Sequence, residues 1–148
     1  MSGYLFTPAS RAVHITETDA LDNNFTASEM NWTLRAFGNT LRGVAWSGTL
    51  YSAVGLDGAV QTSPDGVVWT ARVSGTTANL QSVTWLEDHF IAVGSIGGES
   101  DGTILTSPDG VVWTEQAPAT TNGGIYDVAC SDTRCVAVGS IGQVQTTP

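Results

Sequence analysis

Thr62-Ser63-Pro64-Asp65-Gly66-Val67-Val68-Trp69-Thr70 recurs unchanged at Thr106-Ser107-Pro108-Asp109-Gly110-Val111-Val112-Trp113-Thr114, nine residues in a row. A duplication this long shows that the chain is built from a repeated unit, so the repeat is the first thing to trace outward. Upstream of the first copy stand Leu41-Arg42-Gly43-Val44-Ala45-Trp46 and Tyr51-Ser52-Ala53-Val54-Gly55. Upstream of the second stand Leu80-Gln81-Ser82-Val83-Thr84-Trp85 and Phe90-Ile91-Ala92-Val93-Gly94. A third unit follows with Ile125-Tyr126-Asp127-Val128-Ala129-Cys130, Cys135-Val136-Ala137-Val138-Gly139 and Gln143-Val144-Gln145-Thr146-Thr147-Pro148.

Each unit is a series of short apolar runs separated by turn residues, which is strand spacing and too short for ordinary helices. The spacing predicts an all-β fold of four-stranded antiparallel modules of the β-propeller-blade type, about three blade equivalents. Four-residue loops, Ser47 to Leu50 and Leu86 to His89, should join the first two strands. Ser-Pro-Asp-Gly should join the last two in a tight hairpin: proline pre-sets φ, aspartate bonds its own backbone, and Gly66 or Gly110 takes the left-handed position. The Ala-Val-Gly triplets beginning at Ala53, Ala92 and Ala137 should mark where neighbouring modules come close. Trp69 and Trp113 are expected to be core plates, each worth about 2 to 3 kcal/mol when fully buried.

Ser63-Pro64-Asp65-Gly66-Val67-Val68-Trp69 and its copy at 107–113 resemble the Asp-box, or BNR repeat, of sialidase-like and photosystem-assembly-factor-like β-propellers. The family pattern is Ser, any, Asp, any, Gly, any, any, Trp, and this chain has one residue fewer between Asp and Trp. The resemblance covers about residues 31 to 148 and implies that Asp65, Asp109, Gly66 and Gly110 serve the turn, away from any active face. Sialidases hold the substrate carboxylate with three arginines beside a tyrosine nucleophile. Here Arg42, Arg72 and Arg134 fall at unrelated repeat positions, with Arg11 and Arg35 near the front, and catalysis is not expected.

Asn31-Trp32-Thr33-Leu34-Arg35 matches Val68-Trp69-Thr70-Ala71-Arg72, so residues 31–40 read as a lone fourth strand. Blades are expected at 41–78 and 79–122, with an incomplete one at 123–148 that stops at Thr147-Pro148. Either the strand at Trp32 completes the last module of another copy, for instance in a six-bladed ring of two chains, or the sequence is the front part of a longer chain. Residues 1–30 fit no repeat and read as an N-terminal arm, with a short helix opening near Ser28 and Glu29 as one option. Packing of this stretch on the propeller itself is the other.

Fourteen Asp and Glu oppose five Arg, with no Lys, for a net charge of -9. Phosphate backbones need clustered cations, so neither nucleic acid nor an anionic membrane is an expected partner. The start, Met1-Ser2-Gly3-Tyr4, lacks the pattern of a secretory leader, and no apolar run approaches spanning length.

Cys130 and Cys135 take the positions of Trp46 and Tyr51, or Trp85 and Phe90, across the first hairpin, where a cross-strand disulfide is one reasonable outcome. No cofactor or metal is expected. His89 with Glu87 and Asp88, and Asp57, Glu99 and Asp101, are read as polar loop residues, and His14 and His89 alone supply no triad. The function expected from these features is that of a non-catalytic structural or docking protein that binds a protein partner through its arm, other copies of itself included. A bacteriophage tail-fibre or decoration protein of the virion is the named instance. A carbohydrate-binding propeller is the alternative, with a glycan stacked on Trp46 and Trp85, and a glycoside hydrolase is the third reading.

Overall fold

The computed structural model describes residues 33–35, 38–97, 101–116 and 123–147. The chain divides into two units at Leu34–Arg35, and the described strands all lie in the second. The expected arm at 1–30 lies outside the described residues. Within 31–40, residues 33–35 and 38–40 are exposed and carry no strand, and the rest lies outside the described residues.

The described chain is all-β and forms three antiparallel sheets. The first has the order β1 (Leu41–Trp46), β2 (Tyr51–Gly55), β3 (Ala59–Ser63), β4 (Thr70–Val73). The second repeats this meander with β5 (Asn79–Leu86), β6 (His89–Ile96), β7 (Asp101–Ser107) and β8 (Thr114–Gln116). The third has three strands, β9 (Ile125–Cys130), β10 (Cys135–Gly139) and β11 (Val144–Thr146). No helix among the described residues is long and apolar enough to cross a membrane.

Alternation along each strand decides which side chains meet. Val54 and Val60 point from the first sheet into a core completed by Ala78, Leu80, Val83, Phe90, Ala92 and Leu105 of the second. The opposite face of the second sheet supplies Val93, with Ile91 and Ile104 at the margin, to a second core formed with Ile125, Val128, Cys135 and Ala137 of the third. Both faces of the middle sheet are therefore covered, while each outer sheet is covered on one.

Neighbouring sheets meet along their first strands at equivalent repeat positions. Arg42 donates to the Gln81 side chain. A Cβ on Gly43 would lie 3.0 Å from the Ser82 Cα, so only glycine lets these backbones approach this closely. One sheet further on, Ser82 Oγ donates to Asp127 Oδ1 at 2.7 Å.

Four expectations are corrected. The second hairpin closes in two residues rather than four, because Leu86 pairs with His89 and Glu87 takes the left-handed conformation (φ 52°) that such short loops favour. His89 accordingly begins β6, and Asp101 begins β7 instead of lying in a loop. The Ser-Pro-Asp-Gly segments are not tight hairpins: the ladders end at Thr62 with Thr70 and at Thr106 with Thr114, leaving seven-residue loops at 63–69 and 107–113. The glycines of the Ala-Val-Gly triplets crowd their own sheet, not a neighbour. A Cβ on Gly55 would meet the Thr40 carbonyl oxygen at 1.9 Å, and one on Gly94 the Asn79 carbonyl oxygen at 2.2 Å, next to the β-bulge that starts each sheet.

Gly94→Ala is expected to destabilise the fold by about 1 to 3 kcal/mol, since the added methyl must displace main chain. Urea unfolding monitored by circular dichroism measures this, and an unchanged midpoint would contradict the bulge contact.

Candidate functional site

The residues most regularly repeated in the sequence are consumed by their own turns. Asp65 Oδ1 accepts from the Val67 and Val68 amides at 2.8 and 3.0 Å, and Asp109 Oδ1 accepts from Val111 and Val112 at 2.8 and 2.9 Å. Each preceding serine works from the other side: Ser63 Oγ and Ser107 Oγ accept from the Gly66 and Gly110 amides, both at 2.8 Å. Gly66 and Gly110 both sit at φ 70°, as the left-handed position requires. The loop widens beyond a tight hairpin because the carboxylate, and not the ladder, takes the amides that follow glycine. These amide bonds, strongest from Val68 and Val112, hold both carboxyls below the ordinary aspartate value of 3.8.

Trp69 and Trp113 are half-buried, Trp113 packed against the first core, and their indole N–H groups donate back to the Gly66 and Gly110 carbonyls at 3.2 and 3.1 Å. Their rings lie 6.4 Å from Tyr51 and 6.3 Å from Phe90 of their own sheets. The two turns differ in surroundings. A Cβ on Gly110 would lie 3.1 Å from Leu50 and Thr62 of the first sheet, whereas one on Gly66 would meet Tyr51 alone. The second turn is thus seated against a neighbouring sheet and the first is not.

The candidate stacking residues also part company. Trp46 leaves 43% of its surface exposed and packs on Tyr51 with ring centroids 4.2 Å apart. Trp85 packs edge-on against buried Phe90 at 4.5 Å, at the margin of the first core. The structure therefore separates the two tryptophans into an open and a covered environment.

Cys130 and Cys135 are directly opposed in the ladder and joined by a disulfide. They stand where the second sheet carries Trp85 and Phe90, and Cys135 borders an apolar cleft of about 730 Å³ between the second and third sheets. Ile91, Val93, Ile104, Val128 and Ala137 line it, with His89 at its rim in contact with the Asp88 carboxylate. Asp57 lies in the short turn after β2 at φ 55°, and Glu99 lies outside the described residues. Among the described residues no group of three or more His, Cys, Asp or Glu is placed to hold a metal ion.

Three features escape the sequence reading. The serine acceptors are legible in hindsight, since both copies place Ser three residues before Gly. Tyr51 and Phe90 as ring partners follow from ladder register. The cleft follows from an exchange of aromatic for sulfur that only packing turns into a volume.

A carboxyl with a folded pKa below its unfolded value stabilises the fold above the unfolded value, and the contribution is lost as pH falls through the folded pKa. Melting temperature should thus decline as pH drops below 3.8, in part through Asp65 and Asp109. The double variant Asp65→Asn, Asp109→Asn is expected to melt lower at neutral pH and to lose less on acidification; a parallel pH profile would exclude the turn carboxylates. Reduction, or Cys130→Ser with Cys135→Ser, should cost about 2 kcal/mol for so short a loop, read from denaturant midpoints. No protein-family model and no curated protein matches the chain. Among solved structures it is similar to one titled "Crystal structure of the computationally designed Ika4 protein", with a TM-score of 0.43 and 11% identity over 78% of this chain and 94% of that one.

Proposed function

We propose that the three sheets are blades of a β-propeller-type scaffold with Asp-box-like turns, and that the protein is a non-catalytic structural or docking protein. The observation that carries this reading is where its apolar side chains are left open. Val44, Trp46 and Val73 on the first sheet, and Val136, Val138 and Val144 on the third, are 38% to 86% exposed. The middle sheet has no comparable opening on its strands except Ile96 at the end of β6. Apolar faces of this kind mark protein interaction sites. The repeated serines and aspartates of the turns, Ser63, Asp65, Ser107 and Asp109, are engaged in turn bonds.

A virion component such as a tail-fibre or decoration protein fits this reading. The Cys130–Cys135 bridge suits an oxidising location, as a virion surface provides. The net charge of -9 disfavours nucleic acid and anionic lipid, leaving protein as the partner of choice, engaged through the arm at 1–30.

A glycan-binding reading has one observation in its favour, the open Trp46 on Tyr51, a pair able to stack on a pyranose ring. Trp85, the other candidate for that role, lies at the margin of the first core.

Deleting residues 1–30 is expected to leave the β-sheet circular dichroism intact and to abolish assembly with the protein partner. Assembly that survives the deletion removes the arm as anchor. Hydrolysis of any member of a glycoside panel, abolished by one acidic substitution, would replace the docking reading with an enzymatic one.

A further inference from the structure

We propose that the open face of the first sheet docks on the open face of the third sheet of a second copy, so that two chains close one ring of six sheets. The proposal rests on the scaffold reading above and names the partner of its exposed faces.

The chain itself shows what covers each kind of face. The side of the first sheet that carries Val54 and Val60 is covered by the side of the second that carries Val83, Phe90 and Leu105. The other side of the second, through Val93, Ile91 and Ile104, is covered by the side of the third that carries Val128 and Ala137. The same two types of face thus meet twice, in the same order. What remains is one face of each type. Val136, Val138 and Val144 lie on the third sheet, opposite its buried Cys135 and Ala137. Val44, Trp46 and Val73 lie on the first, opposite its buried Val54 and Val60. A third meeting in the same order requires a second molecule.

First strands support the same continuation. Position two of the repeat meets position two at Arg42 and Gln81, and position three meets position three at Ser82 and Asp127. Continued once more, the row that holds Tyr126 and Asp127 reaches Arg42 and Gly43 of the next copy. Position for position, that sets Tyr126 against the Arg42 guanidinium and Asp127 against Gly43, the residue that has no side chain. Head-to-tail contacts of this kind make either closed rings or open fibres. Rings of such sheets hold about four to eight, and among whole multiples of three only six falls in that range.

Sedimentation equilibrium of the full chain at micromolar concentration tests this. The expected mass is twice the 15.4 kDa of one chain, and Val44→Asp or Val138→Asp alone should return it to the single-chain value with circular dichroism unchanged. Should either variant misfold, Val73→Asp at 86% exposure and Val144→Asp at 64% address the same two faces. A wild-type monomer overturns the proposal and leaves the docking reading to the arm deletion. A dimer indifferent to all four substitutions overturns it as well, since another surface then holds the pair. Particles that grow without limit overturn closure and with it the ring-forming scaffold.

Discussion

A four-stranded antiparallel sheet has two faces, and in this chain both are apolar. Alternation puts Val54 and Val60 on one side of the first sheet and Val44 and Trp46 on the other, so a sheet alone in water exposes both. A single hairpin or small sheet is marginal for this reason, and stacking is the remedy. Burial of Leu80, Phe90 and Leu105 against the first sheet, and of Ile125 against the second, removes side chains each worth about 1.5 to 3 kcal/mol from water. The rest of the described sheets serves that face-to-face contact: glycine where backbones converge at Gly43, small residues at Ala92 and Ala137, and turns that keep the strands in register.

The turns do this with side chains in place of ladder bonds. Serine and aspartate at fixed offsets collect the amides of Gly66, Val67 and Val68, and of Gly110, Val111 and Val112, which the strands cannot reach. Each indole then returns a hydrogen bond to the glycine carbonyl and lays its ring toward Tyr51 or Phe90. A compact loop results whose polar atoms are satisfied internally, which lets its apolar edge at Gly110 rest on Leu50 and Thr62 of the sheet before it.

Periodicity made much of this legible. Strand type, strand number per unit, the direction of the meander and the role of Asp65 and Asp109 all follow from repeated residues whose backbone demands are local. Less legible were the features decided across space. Leu86-Glu87-Asp88-His89 and Ser47-Gly48-Thr49-Leu50 hold the same repeat position, but Ser47 Oγ takes the Thr49 and Leu50 amides in one, while pairing of Leu86 with His89 makes the other a two-residue turn. The Ala-Val-Gly glycines read as contact points between modules, but the bulge behind them directs the crowding inward, to the Thr40 and Asn79 carbonyls. Trp46 and Trp85 occupy one repeat position and differ in exposure because only the second has a sheet in front of it.

At that same position the third sheet carries sulfur in place of rings. Aromatic pairs hold a hairpin aligned only while water is kept off them, so their grip depends on what lies above. The covalent link between Cys130 and Cys135 has no such dependence. The last hairpin therefore keeps its alignment whether its surroundings are wet or dry.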